Sequence, residues 1–174
     1  MVRLPRRAFI ALLAAAISIA APTVARADTL SRGIAAFHLG QYGRALRDLW
    51  PLADRHNARA LGLIGFMYEN GFGVPQAYDA AADFYTRGAA LGDPFSQAML
   101  GLMYDKGHGV RQDFVLAYKW LNLAAAHTSG RQRDTYARFR NAVATKMSTN
   151  EIVIGQRLAL TWTPAVLVPV APLH

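Results

Sequence analysis

The 174-residue chain contains no cysteine. That excludes a disulfide-stapled scaffold, thiolate zinc sites, cysteine catalysis and a lipid anchor on an N-terminal cysteine. Charge is scarce too, at 17% of residues against a usual ~25%. With 53% hydrophobic residues, this is not the composition of a disordered, charge-rich tail. No uninterrupted apolar run reaches the ~18–20 residues of a membrane-spanning helix. Acid is missing from one end: no Asp or Glu precedes Asp28, whereas Arg3, Arg6, Arg7 and Arg26 do. The formal net charge of +8 therefore drops to +4 from Asp28 onward, where 15 basic residues face 11 acidic ones. So mild a surplus does not argue for nucleic acid. Its densest stretch, Arg131, Arg133, Arg138 and Arg140, reads as a solvated helix face rather than a phosphate-binding patch.

What the first 27 residues do contain is an address. Basic residues precede an apolar run from Ala8 to Ile17, Pro22 breaks the run, and small residues follow. This is the layout of a secretory signal peptide, with Ala25-Arg26-Ala27 as an A-x-A cleavage site and a mature start at Asp28. Cleavage after Ala25 and an uncleaved anchor helix are the alternatives. Arg6-Arg7-Ala8-Phe9-Ile10 is similar to a twin-arginine signal, although Pro5 stands where a polar residue is usual. Twin-arginine and general secretory routes both stay open. Either leads to a bacterial export compartment, the periplasm.

Residues 57–92 and 93–128 align without a gap and are identical at ten of 36 positions. The run Ile64-Gly65-Phe66-Met67-Tyr68-Glu69-Asn70-Gly71-Phe72-Gly73-Val74 lies over Leu100-Gly101-Leu102-Met103-Tyr104-Asp105-Lys106-Gly107-His108-Gly109-Val110. A fixed period of this length is the mark of a stacked-repeat architecture. Ala45 and Ala53 fall in the same phase one period earlier, giving a degenerate first unit over 28–56.

Each unit reads as two helices. Leu61, Ile64, Gly65 and Tyr68 recur at helical spacing, as do Phe95, Ala98, Met99 and Leu102. Gly65 and Gly101 each cost ~1 kcal/mol of helix propensity, which predicts close approach of another helix there. Gly71-x-Gly73 and Gly107-x-Gly109 end the first helix of their units, and at least one glycine of each loop is expected at positive φ. Asp93-Pro94 and Asp113 are N-caps, Ala77 is a poor one, and Pro51 should bend or shorten its helix. Over 129–163 the spacing predicts a capping helical hairpin, with helices from Arg131 to Thr145 and from the Ser148-Thr149-Asn150-Glu151 capping box to about Thr163. The end, 164–174, reads as an extended or disordered apolar tail.

The run Leu-Gly-x-Met-Tyr-x-x-Gly-x-Gly-Val, followed by a second helix ending in Ala-Ala, resembles the Sel-1-like repeat, a tetratricopeptide-related α/α repeat, and the ending from Tyr118 through Trp162 resembles the C-terminal unit of its exported bacterial members. The match is strong at 57–128 and partial at 28–56, where Gly40-Gln41-Tyr42-Gly43-Arg44-Ala45 is closer to an ordinary tetratricopeptide unit. The resemblance implies an all-α, right-handed superhelix of about three helix pairs. It further implies an adaptor or regulator that binds other proteins. In such a solenoid the first helix of each unit lines the inner wall. Helical phase then turns Arg59, Phe66, Glu69 and Asn70 toward the groove, with Phe95, Leu102, Asp105 and Lys106 at the matching phases. The first unit adds Phe37 and His38. Gly65, Tyr68, Gly101 and Tyr104 join the loop glycines as structural repeat positions. Phe66 and Leu102 are expected as apolar anchors for a protein or peptide. The alternatives are that they pack on the next unit, or that residues around Val166 to Val170 fill the groove.

No motif specifies chemistry: there is no HExxH, G-x-S-x-G, P-loop or calcium-loop spacing. His38, His56, His108, His127 and His174 form no i, i+4 pair, and only His108 and His127 are placed to meet. Glu69 and Asp105 are one repeat position seen twice, not a catalytic pair. The Gly-x-Gly loops follow a helix, whereas a phosphate loop precedes one. The reading is a periplasmic protein-binding module without cofactor, metal, nucleic acid or stable membrane insertion. An unrecognised cell-wall hydrolase and a structural subunit of an envelope assembly are the alternatives.

Overall fold

The computed structural model describes residues 21–165. Among the described residues the secondary structure is entirely helical: α1 (Ala21–His38), α2 (Tyr42–Ala53), α3 (Ala58–Asn70), α4 (Tyr78–Ala90), α5 (Pro94–Lys106), α6 (Phe114–Ala126), α7 (Gly130–Ala144) and α8 (Thr149–Leu160). The chain divides into two compact units, Met1–Asp48 and Leu49–His174. Most of the expected signal segment lies outside the described residues. The backbone of α1 is helical from Ala21 through Ala27.

In the first unit the expected groove residues Phe37 and His38 lie at the end of α1. The Phe37 ring meets His38 at 5.7 Å and Tyr42 at 5.9 Å across the turn at Gly40. Arg32 pairs with Asp28 at 2.7 Å.

In the second unit α3/α4 and α5/α6 are the two repeat hairpins, and each is closed by the same devices. Asn57 accepts a hydrogen bond from the Ala60 amide, and Asp93, 36 positions on, accepts from Ser96. Both helices end on a left-handed glycine, Gly71 at φ 70° and Gly107 at φ 72°. Gly73 and Gly109 are also at positive φ. In each loop a glutamine side chain donates to a carbonyl of the helix end: Gln76 to Glu69 O at 2.8 Å and Gln112 to Asp105 O at 2.7 Å. Asp113 caps α6, while Ala77 leaves α4 without a side-chain cap. Pro51 sits near the end of α2, which stops at Ala53.

The close approach expected at the helical glycines is present. A Cβ on Gly65 would lie 2.9 Å from the Tyr85 ring, and one on Gly101 would lie 2.8 Å from Leu121 Cγ. Each hairpin therefore locks its second helix onto a glycine of its first. The core fills the space between: Leu61, Ile64, Met67, Tyr85, Leu100, Met103 and Leu121 are fully buried. α5 packs on α4 and also directly on α3, so successive first helices touch.

The C-terminal hairpin keeps the period better than its sequence motif does. Ser129 stands at the N-cap position 36 residues after Asp93, although it makes no side-chain cap. α7 and α8 both pack on α6, and the capping box at Ser148 and Glu151 is formed. α8 stops at Leu160 rather than about Thr163, and only Gly155 and Ala159 of its residues are buried. Its outer side mixes polar and apolar groups: Gln156 and Arg157 are exposed, and so are Val153 at 45% and Leu160 at 85%. Beyond it Trp162 meets the Trp120 ring at 6.1 Å, and the Ala165 amide donates to Ala90 O at 2.7 Å. Residues 166–174, and with them the expected groove-filling tail, lie outside the described residues.

Candidate functional site: the wall of first helices

Three first helices, α3, α5 and α7, lie side by side in the second unit, α3 against α5 and α5 against α7. Their N-caps, Asn57, Asp93 and Ser129, repeat at 36 residues, so positions 36 apart form rows across the wall. One row is Arg59, Phe95 and Arg131; a second is Phe66, Leu102 and Arg138; a third is Asn70, Lys106 and Ala142. Residues seven apart share a helix face, so the first two rows lie on one side.

The apolar members are half-buried. The Phe66 ring lies 6.0 Å from Phe72 and 6.0 Å from Phe95. The Arg59 guanidinium covers the Phe95 ring at 5.4 Å. Leu102 packs on the cluster around Ala98, Tyr118 and Leu121 while keeping part of its surface open. These three side chains thus serve the fold on one side and the surface on the other.

The two acids expected to ring the groove are engaged internally. Glu69 accepts the Tyr85 hydroxyl at 2.7 Å, and burial together with that carboxylate pushes the Tyr85 hydroxyl far up, keeping it a donor. Asp105, 15% exposed, is held by Lys146 of the α7–α8 link at 2.7 Å. Neither bond was legible in the sequence, because both cross between elements that no spacing rule connects. Asn70 bonds within its own helix, to Phe66 O at 2.9 Å, and Lys106 is exposed. Tyr68 stacks on Phe84 at 5.5 Å, and Tyr104 borders an open depression of about 610 Å³ on the loop side with Val110, Arg111, Gln112, Asp113 and Leu116.

Sequence reasoning also missed a buried polar knot at the start of α5. Asp93 Oδ2 accepts from the Ser96 amide at 2.8 Å and the Ser96 hydroxyl at 2.6 Å. Gly62 and Gly88 leave room for it: a Cβ on either would collide with Ser96 Oγ. The chance of finding it lay in the two helical glycines, each mid-helix without a turn to explain it. His108 and His127 are engaged separately. The first lies against Tyr78 at 4.8 Å and the second lies 3.2 Å from Gln97 Oε1. Among the described residues no group of acids and histidines could hold a metal ion, and no buried polar side-chain atom lacks a partner. No helix among them is long and apolar enough to cross a membrane.

The sequence matches the Sel1 repeat family model twice, at residues 58–93 and 94–129. The fold is similar to that of a protective antigen present in uropathogenic Escherichia coli strains and displaying an SLR fold. The TM-score there is 0.72 at 21% identity, over 79% of this chain and 29% of that one. It is also similar to a Sel1 repeat protein from Oxalobacter formigenes, with a TM-score of 0.59 at 27% identity, over 77% of this chain and 56% of that one. The chain thus spans less than two-thirds of the length of either. No significant match exists among curated proteins. The described part of the second unit is an all-α stack of helix pairs, and its two central hairpins match the Sel1 repeat. Such repeats are generally protein-interaction scaffolds rather than enzymes.

Proposed function

We propose that this solenoid of Sel1 repeats is an exported, periplasmic adaptor that binds a protein or peptide partner along the wall of its first helices. The observation that carries the reading is the contiguity of that wall. α3, α5 and α7 touch in sequence, and Phe66, Phe95 and Leu102 stand half-exposed at repeat spacing across it. Half-buried apolar groups flanked by charges are what a binding hot spot needs: anchors that seat a partner and a rim that sets its register. The periplasmic part rests on the basic-then-apolar start and Ala25-Arg26-Ala27.

The double variant Phe66→Ala with Leu102→Ala tests the wall. It is expected to stay folded, at a loss of about 2–4 kcal/mol for two half-buried truncations, and to lose partner capture after crosslinking in periplasmic extracts. A folded double variant with full capture moves the site elsewhere. Export has its own measurement. Intact mass of the cell-extracted protein should place the N-terminus at Asp28, or at Arg26 by the alternative site, and Met1 on the mature protein contradicts it.

A further inference from the structure

The charge of the wall is uneven, and that unevenness carries information about the partner. The first helices α3, α5 and α7 bear six cations, Arg59, Lys106, Arg131, Arg133, Arg138 and Arg140, against three acids, Glu69, Asp105 and Asp134. The second helices α4, α6 and α8 bear three of each: Arg87, Lys119 and Arg157 against Asp79, Asp83 and Glu151. The surplus of the helical repeats therefore lies on the first helices; Arg133 and Arg140 border α6 beside Asn122, Ala125 and Ala126, and the other four cations belong to the wall rows. The acids of the first helices are already occupied: Glu69 by Tyr85, Asp105 by Lys146, and Asp134 by Arg133 at 3.2 Å. Most of the cations are not neutralised. Lys106 and Arg131 are exposed with no side-chain bond to an acid, and Arg138 reaches only the Thr135 hydroxyl, at 3.0 Å. Arg59 lies 3.9 Å from Asp93, whose other oxygen is held by Ser96.

The repeat register places these charges around the apolar members. Arg59 and Arg131 stand on either side of Phe95 in one row, and Arg138 extends the Phe66–Leu102 row. We infer that the wall takes an acidic, amphipathic segment of a partner protein. Its apolar side chains seat on Phe66, Phe95 and Leu102, and its carboxylates meet Arg59, Lys106, Arg131 and Arg138. This rests on the adaptor reading above and adds the partner's chemistry to it. A nucleic acid fits the wall less well. Its phosphates want an unbroken basic track, whereas apolar groups divide these cations.

The experiment pans a random peptide display library against the purified full-length chain. Selected peptides are then measured, by fluorescence anisotropy, on the wild type and on Arg131→Glu with Arg138→Glu. Both sites are exposed, and circular dichroism checks each fold. The expected result is enrichment of Asp and Glu interleaved with apolar residues, with affinity falling about tenfold or more in the double reversal and with rising salt. Arg157→Glu on α8 should leave it unchanged. Selected peptides without acidic bias, weakened by Leu102→Ala and indifferent to the double reversal, overturn the acidic partner while the wall stands. Peptides indifferent to Leu102→Ala and to both reversals, or no enrichment at all, overturn the wall as well. A DNA oligonucleotide that binds more tightly than the selected peptides, through the same arginines, assigns the cations to nucleic acid and overturns the proposal.

Discussion

At the scale of single residues, the glycines separate two physical roles that the sequence pattern alone merges. Gly71 and Gly109 both sit in Gly-x-Gly loops at positive φ, 70° and 66°. Around Gly71 a Cβ would meet nothing nearer than 3.5 Å, so a side chain there suffers only the strain of the left-handed conformation. Around Gly109 a Cβ would overlap the Tyr78 carbonyl, because this loop rests on the start of α4. Gly71→Ala should therefore cost about 1 kcal/mol, and Gly109→Ala at least about twice that, as backbone must move as well. Urea unfolding of the two variants side by side checks this; equal midpoints would show that the loop does not bear on the neighbouring repeat. The positive φ could be read in advance, since glycine recurring after a helix has few other causes. The contact with Tyr78 could not, because it joins positions that only the folded stack brings together.

At the scale of elements, the helices were the most legible part of the chain and their ends the next most. Asp93, Asp113 and Ser148 cap as their residue types demand, and α7 differs from its expected span by one residue at each end. α8 ends at Leu160, short of Thr163, and periodicity marks apolar residues whether or not anything covers them: here Val153, Ile154, Leu158 and Leu160 are exposed. The start of α8 has a pH signature. The Ser148 amide and hydroxyl both donate to Glu151 Oε2 at 2.8 Å, and these bonds lower the Glu151 carboxyl from its usual value of 4.5. A carboxyl depressed in the folded state contributes stability that is complete above its unfolded value and is lost as pH falls through its folded one. The melting midpoint should thus fall on acidification below the ordinary glutamate range, and Ser148→Ala should flatten that part of the slope. Tryptophan-fluorescence melts across the acid range check it; an unchanged slope in Ser148→Ala contradicts the assignment.

At the scale of the second unit, repetition turns local features into a surface. A 36-residue period places each N-cap, each terminal glycine and each wall residue one helix further along. Neighbouring first helices then present a continuous wall rather than separate patches. The rows of that wall were legible from helical phase. The hydrogen bond on Glu69 and the ion pair on Asp105 were not, since Tyr85 and Lys146 lie 16 and 41 residues away from them. That difference matters for function, because the ion pair with Lys146 cancels Asp105 and leaves the cations of the first helices in excess around the apolar seats. Partners are expected to meet this wall and not the second helices. A photocrosslinking amino acid placed in living cells at Asn70, Lys106 or Arg138 on the wall, and at Asp83 or Arg157 on the second helices, tests it most directly. All five side chains are exposed, so each variant should fold. A discrete adduct is predicted from the wall positions and none from Asp83 or Arg157; adducts from the second helices with the wall silent would contradict binding along the wall.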